Sequence, residues 1–155
     1  MENKTLKWCF KIKKGLKIVE PNERLSKSYL EQAKSSLLRA KKDLEDKDLL
    51  WGTVAIYYAE YYALYSFLQR IGVKCENHSC SILAVGLLLG VEKTKTIKEH
   101  KDKRSDAQYY MKVDQENKIK TMLIEAKNFI SNFDELVSDL SEKEIKEYRS
   151  KISKR

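Results

Sequence analysis

A chain of 155 residues with five glycines, one proline and 35% charged residues has the size of one domain and a helix-rich composition. That composition carries no sandwich or disulfide-framework signature. The formal net charge of +8 favours anionic partners such as nucleic acid, nucleotides or anionic membrane.

The leader, residues 1–22, carries Lys4, Lys7, Lys11, Lys13, Lys14 and Lys17 and no uninterrupted apolar run, so it does not read as a signal peptide. Leu6, Trp8, Phe10 and Ile12 alternate with polar and basic residues, which suits a short strand or an arm laid on the helices. Pro21-Asn22 closes this segment. From Glu23 to about Asp46, Leu30, Ala33, Leu37, Ala40 and Leu44 recur at spacings of three and four, one face of a helix. Asp48 is placed to cap the next helix. Its stripe of Trp51, Val54, Ala55, Tyr58, Tyr62, Tyr65 and Leu68 is joined by Ile56, Ala59, Ala63 and Phe67. A helix apolar on most sides is a central one, and Gly72 suits its C-terminal stop.

Asn77 or Ser79 caps a third helix that ends near Gly90. Its apolar run, Ile82 to Gly90, falls well short of the roughly 20 residues a membrane span needs. Residues 91–103 are polar and lysine-rich and read as an exposed loop, with at most one helical turn. Ile119, Met122, Ala126, Phe129, Phe133, Leu136 and Leu140 then mark a long amphipathic helix from about Asp114. Ser141 and Glu144 form a capping box that opens a short charged helix. The expected fold is an all-α, up-and-down antiparallel bundle of about four to five helices with a short basic N-terminal arm. Its divisions are an arm over 1–22, the bundle over 23–140 and a tail helix over 141–155.

Three cysteines, an odd number without framework spacing, predict free thiols and a cytoplasmic setting. Cys75, His78 and Cys80 are too cramped for structural zinc, which uses four ligands in two separated pairs. No metal or cofactor is expected.

The chemistry concentrates in Arg104-Ser-Asp-Ala-Gln-Tyr-Tyr110. A guanidinium binds phosphate oxygens in a fork, and aromatic faces stack on bases. Arg104, Tyr109 and Tyr110 are therefore candidate nucleotide or RNA ligands; the structural counterpart is an Arg104–Asp106 pair with two aromatics pinning the next helix. Tyr57, Tyr58, Tyr61, Tyr62 and Tyr65 carry too many hydroxyls for one core, so some of them should line a cleft or an interface. Glu60 lies amid them and needs a partner, with Arg104 or Arg70 as candidates. His78 opens the third helix and either faces the cleft or caps and packs. His100 precedes Arg104 by four residues: on a helix the two would share a face as a reversed His–Arg pair able to move protons, but in the loop read for this stretch it is a solvated histidine.

The order of these segments resembles the HEPN domain family, in particular its small stand-alone archaeal and bacterial members. The run from Tyr57 to Gly72, then Asn77-His-Ser79, then Arg104 to Tyr110 before a long helix carries the resemblance, which covers about Pro21 to Leu140. It implies a helical bundle, usually a homodimer, that acts on RNA or nucleotides. It also implies a minimal nucleotidyltransferase partner in a toxin–antitoxin or stress-response system. Ribonuclease members need no metal and use an Arg followed within a few residues by a His; here the sequence runs Arg-x4-Tyr-Tyr. At neutral pH roughly one unperturbed Tyr in a thousand is ionised, a weak general base. The resemblance therefore implies a nucleotide- or RNA-binding protein, with Arg104, Tyr109, Tyr110, Glu60, His78 and Tyr61 as site residues. A metal-independent endoribonuclease using Arg104 and a non-catalytic dimeric adaptor are the alternatives. Tyr109 or Tyr110 is then a candidate acceptor of AMP from the partner.

Overall fold

The computed structural model describes residues 5–153. Lys4 of the basic leader and the last two residues of the tail lie outside that range. The structure is an all-α helical bundle with one minimal sheet. Its elements run α1 Leu6–Lys11, β1 Lys17–Ile18, α2 Glu23–Glu45, α3 Leu49–Ile71, β2 Val73–Lys74, α4 His78–Leu89, a 3-10 turn Val91–Thr94, α5 Lys95–Tyr110, α6 Glu116–Ser138 and α7 Glu142–Ser153.

Local chemistry sets most of these boundaries. Asn22 Oδ1 accepts from the Leu25 amide at 2.9 Å and Asp48 Oδ1 from the Trp51 amide at 3.2 Å, each satisfying a first-turn donor that the helix cannot. Gly72 ends α3 at φ 83°, in the left-handed region that favours glycine. Ser141 Oγ accepts from the Glu144 amide while Glu144 Oε1 accepts from the Ser141 amide, both at 3.1 Å, so the capping box at α7 forms in full.

α3 is the buried axis. α2 runs antiparallel to it, with Ser26 bonding the Ser66 carbonyl at one end and Leu44 against Gly52 at the other. One core gathers Tyr57, Leu64, Phe67 and Leu68 of α3 with Phe129 and Phe133 of α6. A smaller core joins Ala40 and Leu44 to Ile56, Ile119, Met122 and Ala126. The tail contributes Ile145 and Ile152 to the main core. Its Arg149 donates to the carbonyls of Val19 and Ile71 at 2.7 Å and of Gly72 at 3.2 Å. A cation there answers the open carbonyls at the end of α3.

The structure differs from the sequence-based expectations in three places. The alternating leader is a short helix, not a strand or free arm: Thr5 caps α1, and Leu6 and Cys9, three apart, turn into the core. The strand of the leader is displaced to Lys17–Ile18, which pairs antiparallel with β2 in the register Lys17↔Lys74 and Ile18↔Val73. Second, the cysteines are not all free. Cys9 and Cys80, 71 residues apart, form a disulfide, and Cys75 is the buried free thiol. Third, the lysine-rich stretch from 95 onward is helix α5 and not a loop. Its buried positions are Ile97, His100, Arg104 and Ala107. That is a helical stripe, but two of its four members are titratable, so a search for apolar periodicity passes over it.

Candidate functional site

α3 presents Tyr57, Tyr58 and Tyr61 as a floor flanked by the first turn of α4 and the last two turns of α5. Tyr57 and Tyr61 are buried and Tyr58 is half-buried. Three of the five hydroxyls find partners within the chain, while Tyr58 and Tyr62 are half-buried. The Tyr57 hydroxyl lies 2.9 Å from His78 Nδ1, Tyr61 donates to Ser81 Oγ at 2.9 Å, and Tyr65 accepts from the Cys75 amide at 3.0 Å. Burial holds the Tyr57 and Tyr61 phenols well above the usual range, so both stay protonated.

His78 is the first residue of α4, placed there because Asn77 Oδ1 takes the Cys80 amide at 2.9 Å. Its ring stacks on Tyr61 with centroids 3.7 Å apart and planes at 16°, and meets the edge of Tyr58 at 5.9 Å. Partial burial and then the charges of Arg104 and Lys101 push its pKa down to about 4. The imidazole is therefore neutral at pH 7.

Arg104 reaches in from α5. Its guanidinium carbon stands 4.9 Å from the Tyr57 ring centroid, 5.7 Å from that of Tyr58 and 5.8 Å from that of Tyr109. These are cation–π distances. The residue is only 8% exposed, yet among the described residues its Nε has no hydrogen-bond partner. Its Nη1 donates a long hydrogen bond to Gln108 Oε1 at 3.4 Å, and among the described residues no carboxylate pairs with it. The Arg104–Asp106 pair is not formed.

Glu60 does not pair with Arg104 or Arg70. Arg70 faces Glu142 at 3.7 Å, and Glu60, fully buried, bonds His100 Nδ1 with both oxygens at 2.9 Å. His100 is thus a core residue and not a solvated loop histidine. Its Nε2 also faces Glu125 Oε1 of α6 at 3.4 Å. Burial pushes the Glu60 carboxyl up to about 7, with the His100 hydrogen bond restraining it. Burial alone would lower the His100 value, but the bond to Glu60 and its charge carry it above the usual imidazole range. This pair lies one turn behind Arg104 and locks α5 onto α3.

Of the residues singled out from sequence, Arg104, Tyr109, His78 and Tyr61 converge. Tyr110 is 70% exposed and stands outside the cluster, and Glu60 supports it from behind. Sequence reasoning named Tyr57 and Tyr58 only among five tyrosines of which some should line a cleft or an interface, although they touch both Arg104 and His78. The spacing of 57, 58 and 61 on one helix was the available signal. The zinc spacing of Cys75, His78 and Cys80 dissolves because Cys80 is bonded to Cys9. Among the described residues no group of three His, Cys, Asp or Glu side chains is placed to hold a metal ion, and no helix is long and apolar enough to cross a membrane. The cluster offers one buried cation, neutral donors and open aromatic faces, a set suited to an anion carrying a flat ring.

Comparison with protein families gives a match to the model described as HEPN domain over residues 26–136. A search of curated proteins gave no match, and neither did a search of solved structures.

Proposed function

The chain belongs to the HEPN domain family, and we propose on that premise that it binds the phosphate of RNA or of a nucleotide through Arg104. The observation that carries this reading is the guanidinium itself. It is nine-tenths buried among Tyr57, Tyr58 and Tyr109, and among the described residues its Nε has no acceptor and no carboxylate balances it. A buried charge is costly unless paired, so the fold holds a cation whose counter-ion has to come from outside. The formal net charge of +8 draws such anions to the surface. Tyr58 and Tyr109 supply faces for a base. Tyr109 and Tyr110 stand where the ribonuclease motif carries its histidine, which favours binding over cleavage.

Arg104→Ala is expected to weaken binding of a short single-stranded RNA or of AMP by about a hundredfold, the loss of two charge-assisted hydrogen bonds. Fluorescence anisotropy and calorimetry at fixed salt measure this, and circular dichroism shows whether the variant stays helical. Binding unchanged by the substitution, or lost equally on any Lys→Ala change, would reduce the reading to attraction by a basic surface.

The same reading extends to a homodimer and to a minimal nucleotidyltransferase partner in a toxin–antitoxin or stress-response setting. Tyr109 and Tyr110 are 66% and 70% exposed at the end of α5. A phenol there would attack the α-phosphorus of ATP, bonding to AMP as pyrophosphate leaves and the phenolic proton passes to solvent or to a base on the partner. Intact-mass measurement after incubation with the partner and ATP is expected to show added AMP, mapped by fragmentation to one of these two tyrosines. An unshifted mass removes this part of the proposal.

A further inference from the structure

We infer that the head of α4 supplies the second half of the phosphate grip, with His78 donating from Nε2 to an oxygen that Arg104 holds from α5. The inference rests on the reading of Arg104 as a phosphate ligand and adds to it the residue that completes the site. His78 comes from a different helix, 26 positions before Arg104 in the sequence, so spacing along the chain does not join the two. The fold joins them through Tyr57, whose ring lies under the guanidinium and whose hydroxyl meets the imidazole.

The hydrogen bond to Tyr57 fixes what His78 can do. The Tyr57 hydroxyl is buried, stays protonated and has His78 Nδ1 as its partner. A phenol has one hydrogen to give. If Nδ1 donated instead, the phenol hydrogen would be left in a buried space without an acceptor and beside the Arg104 cation. The phenol therefore donates to Nδ1, and the ring hydrogen sits on Nε2. That nitrogen makes no bond within the described residues. Stacking on Tyr61 and the edge of Tyr58 hold the ring plane, so the donor is pre-set and loses little freedom on binding.

The rest of the α4 head points the same way. Asn77 satisfies the Cys80 amide, which leaves the amides of His78 and Ser79 as the first-turn donors without a helix carbonyl. The N-terminus of this twelve-residue helix carries partial positive charge. Independently of that terminus, Arg104, buried and lacking an Nε partner, stands one tyrosine ring away. The ligand class is a phosphate oxyanion attached to a flat base, as a diester in single-stranded RNA or as a monoester in a free nucleotide. A neutral imidazole whose Nδ1 is occupied and whose Nε2 bears hydrogen does not take a proton from a 2′-hydroxyl. The pair grips the phosphate and leaves it whole.

The test compares the unaltered protein with His78→Ala, His78→Gln and Arg104→Ala, using a fluorescent single-stranded RNA oligomer in one arm and AMP in the other. Tighter binding of the RNA assigns the diester, tighter binding of AMP the monoester, and either supports the inference if it depends on both residues. His78→Ala is expected to cost about tenfold in affinity, one hydrogen bond to a charged group. His78→Gln, which keeps a donor near the same point, should recover most of it. The nitrogen-15 spectrum of the unaltered protein should show the proton on Nε2, a readout that needs no variant, and the RNA should remain intact. His78→Ala binding as tightly as the unaltered protein while Arg104→Ala fails would overturn the inference and leave the Arg104 site standing. A proton on Nδ1, or RNA cleavage that depends on His78, would overturn it too. If Arg104→Ala also binds normally, both readings fall together.

Discussion

His100→Ala is expected to destabilise the protein by about 3–5 kcal/mol, because it leaves the Glu60 carboxylate buried with no counter-charge. Glu60 has no exposed surface, and both of its oxygens bond His100 Nδ1 at 2.9 Å. No other partner of Glu60 stands among the described hydrogen bonds, so the loss has no local remedy except protonation. That remedy sets the pH dependence. Burial already holds Glu60 up near 7 against an ordinary value of 4.5, and Glu60 holds His100 above 6.5. Both folded values lie above the unfolded ones. Each contribution is therefore complete below its unfolded value and is lost as pH rises through its folded value, from 4.5 to about 7 for Glu60. Without His100 the carboxyl keeps its proton to still higher pH, and ionising it becomes harder. The variant, which has only the raised carboxyl, should thus be less stable at pH 8.5 than at pH 6. Replacing both residues with leucine should bring stability back to within about 1 kcal/mol of the original, since a paired charge can be exchanged for apolar packing at little cost. Denaturant melts of the single and double variants at two pH values measure all of this. A single-variant loss below about 1 kcal/mol would mean that Glu60 is rescued by a group other than His100.

This pair also shows where the sequence stops being readable. Caps are local, and the sequence placed them at Asp48, at Asn77 or Ser79, at Gly72 and in the Ser141–Glu144 box; the structure has Asn77 of that pair and the others as placed. The apolar stripes of α2, α3, α4 and α6 were equally plain. α5 was not, because its buried stripe is held by a hydrogen bond to Glu60 and by the rings around Arg104 instead of by hydrophobic burial. A histidine and an arginine in a lysine-rich stretch look like solvated residues until the chain 40 positions earlier supplies a carboxylate and tyrosines. The site followed the same rule. Arg104 and Tyr109 could be picked out as near neighbours on one helix, whereas the link from Arg104 through Tyr57 to His78 depends on how α4 and α5 sit against α3.

The Cys9–Cys80 bond is the other long-range link the sequence did not reveal, and removing it carries the second large effect. An odd number of cysteines without framework spacing leaves every pairing open. The structure selects one by bringing α1 onto α4, with both cysteines fully buried. On the chain-entropy account, closing a segment of 71 residues stabilises the folded state by about 4 kcal/mol. The double variant Cys9→Ser/Cys80→Ser, or the reduced protein, should lose about that much in denaturant melts. A change below about 1 kcal/mol would show that α1 is held by packing alone. The helix has six residues, far too few to persist by itself, so its attachment depends on Leu6, Cys9 and the bond. α4 differs: Asn77 still caps it and its body stays in the main core. Loss of the bond should therefore release the leader before the bundle, seen as earlier amide exchange in residues 6–18 than in α3. Cys75 does not offer a replacement partner, since burial holds its thiol above the usual range and keeps it from ionising. The pairing also removes the ground on which free thiols pointed to a reducing cytoplasm, because such bonds persist where surroundings are oxidising. The bond ends two residues after His78, and the leader it anchors braces the helix whose first turn closes over Tyr57 and Tyr61.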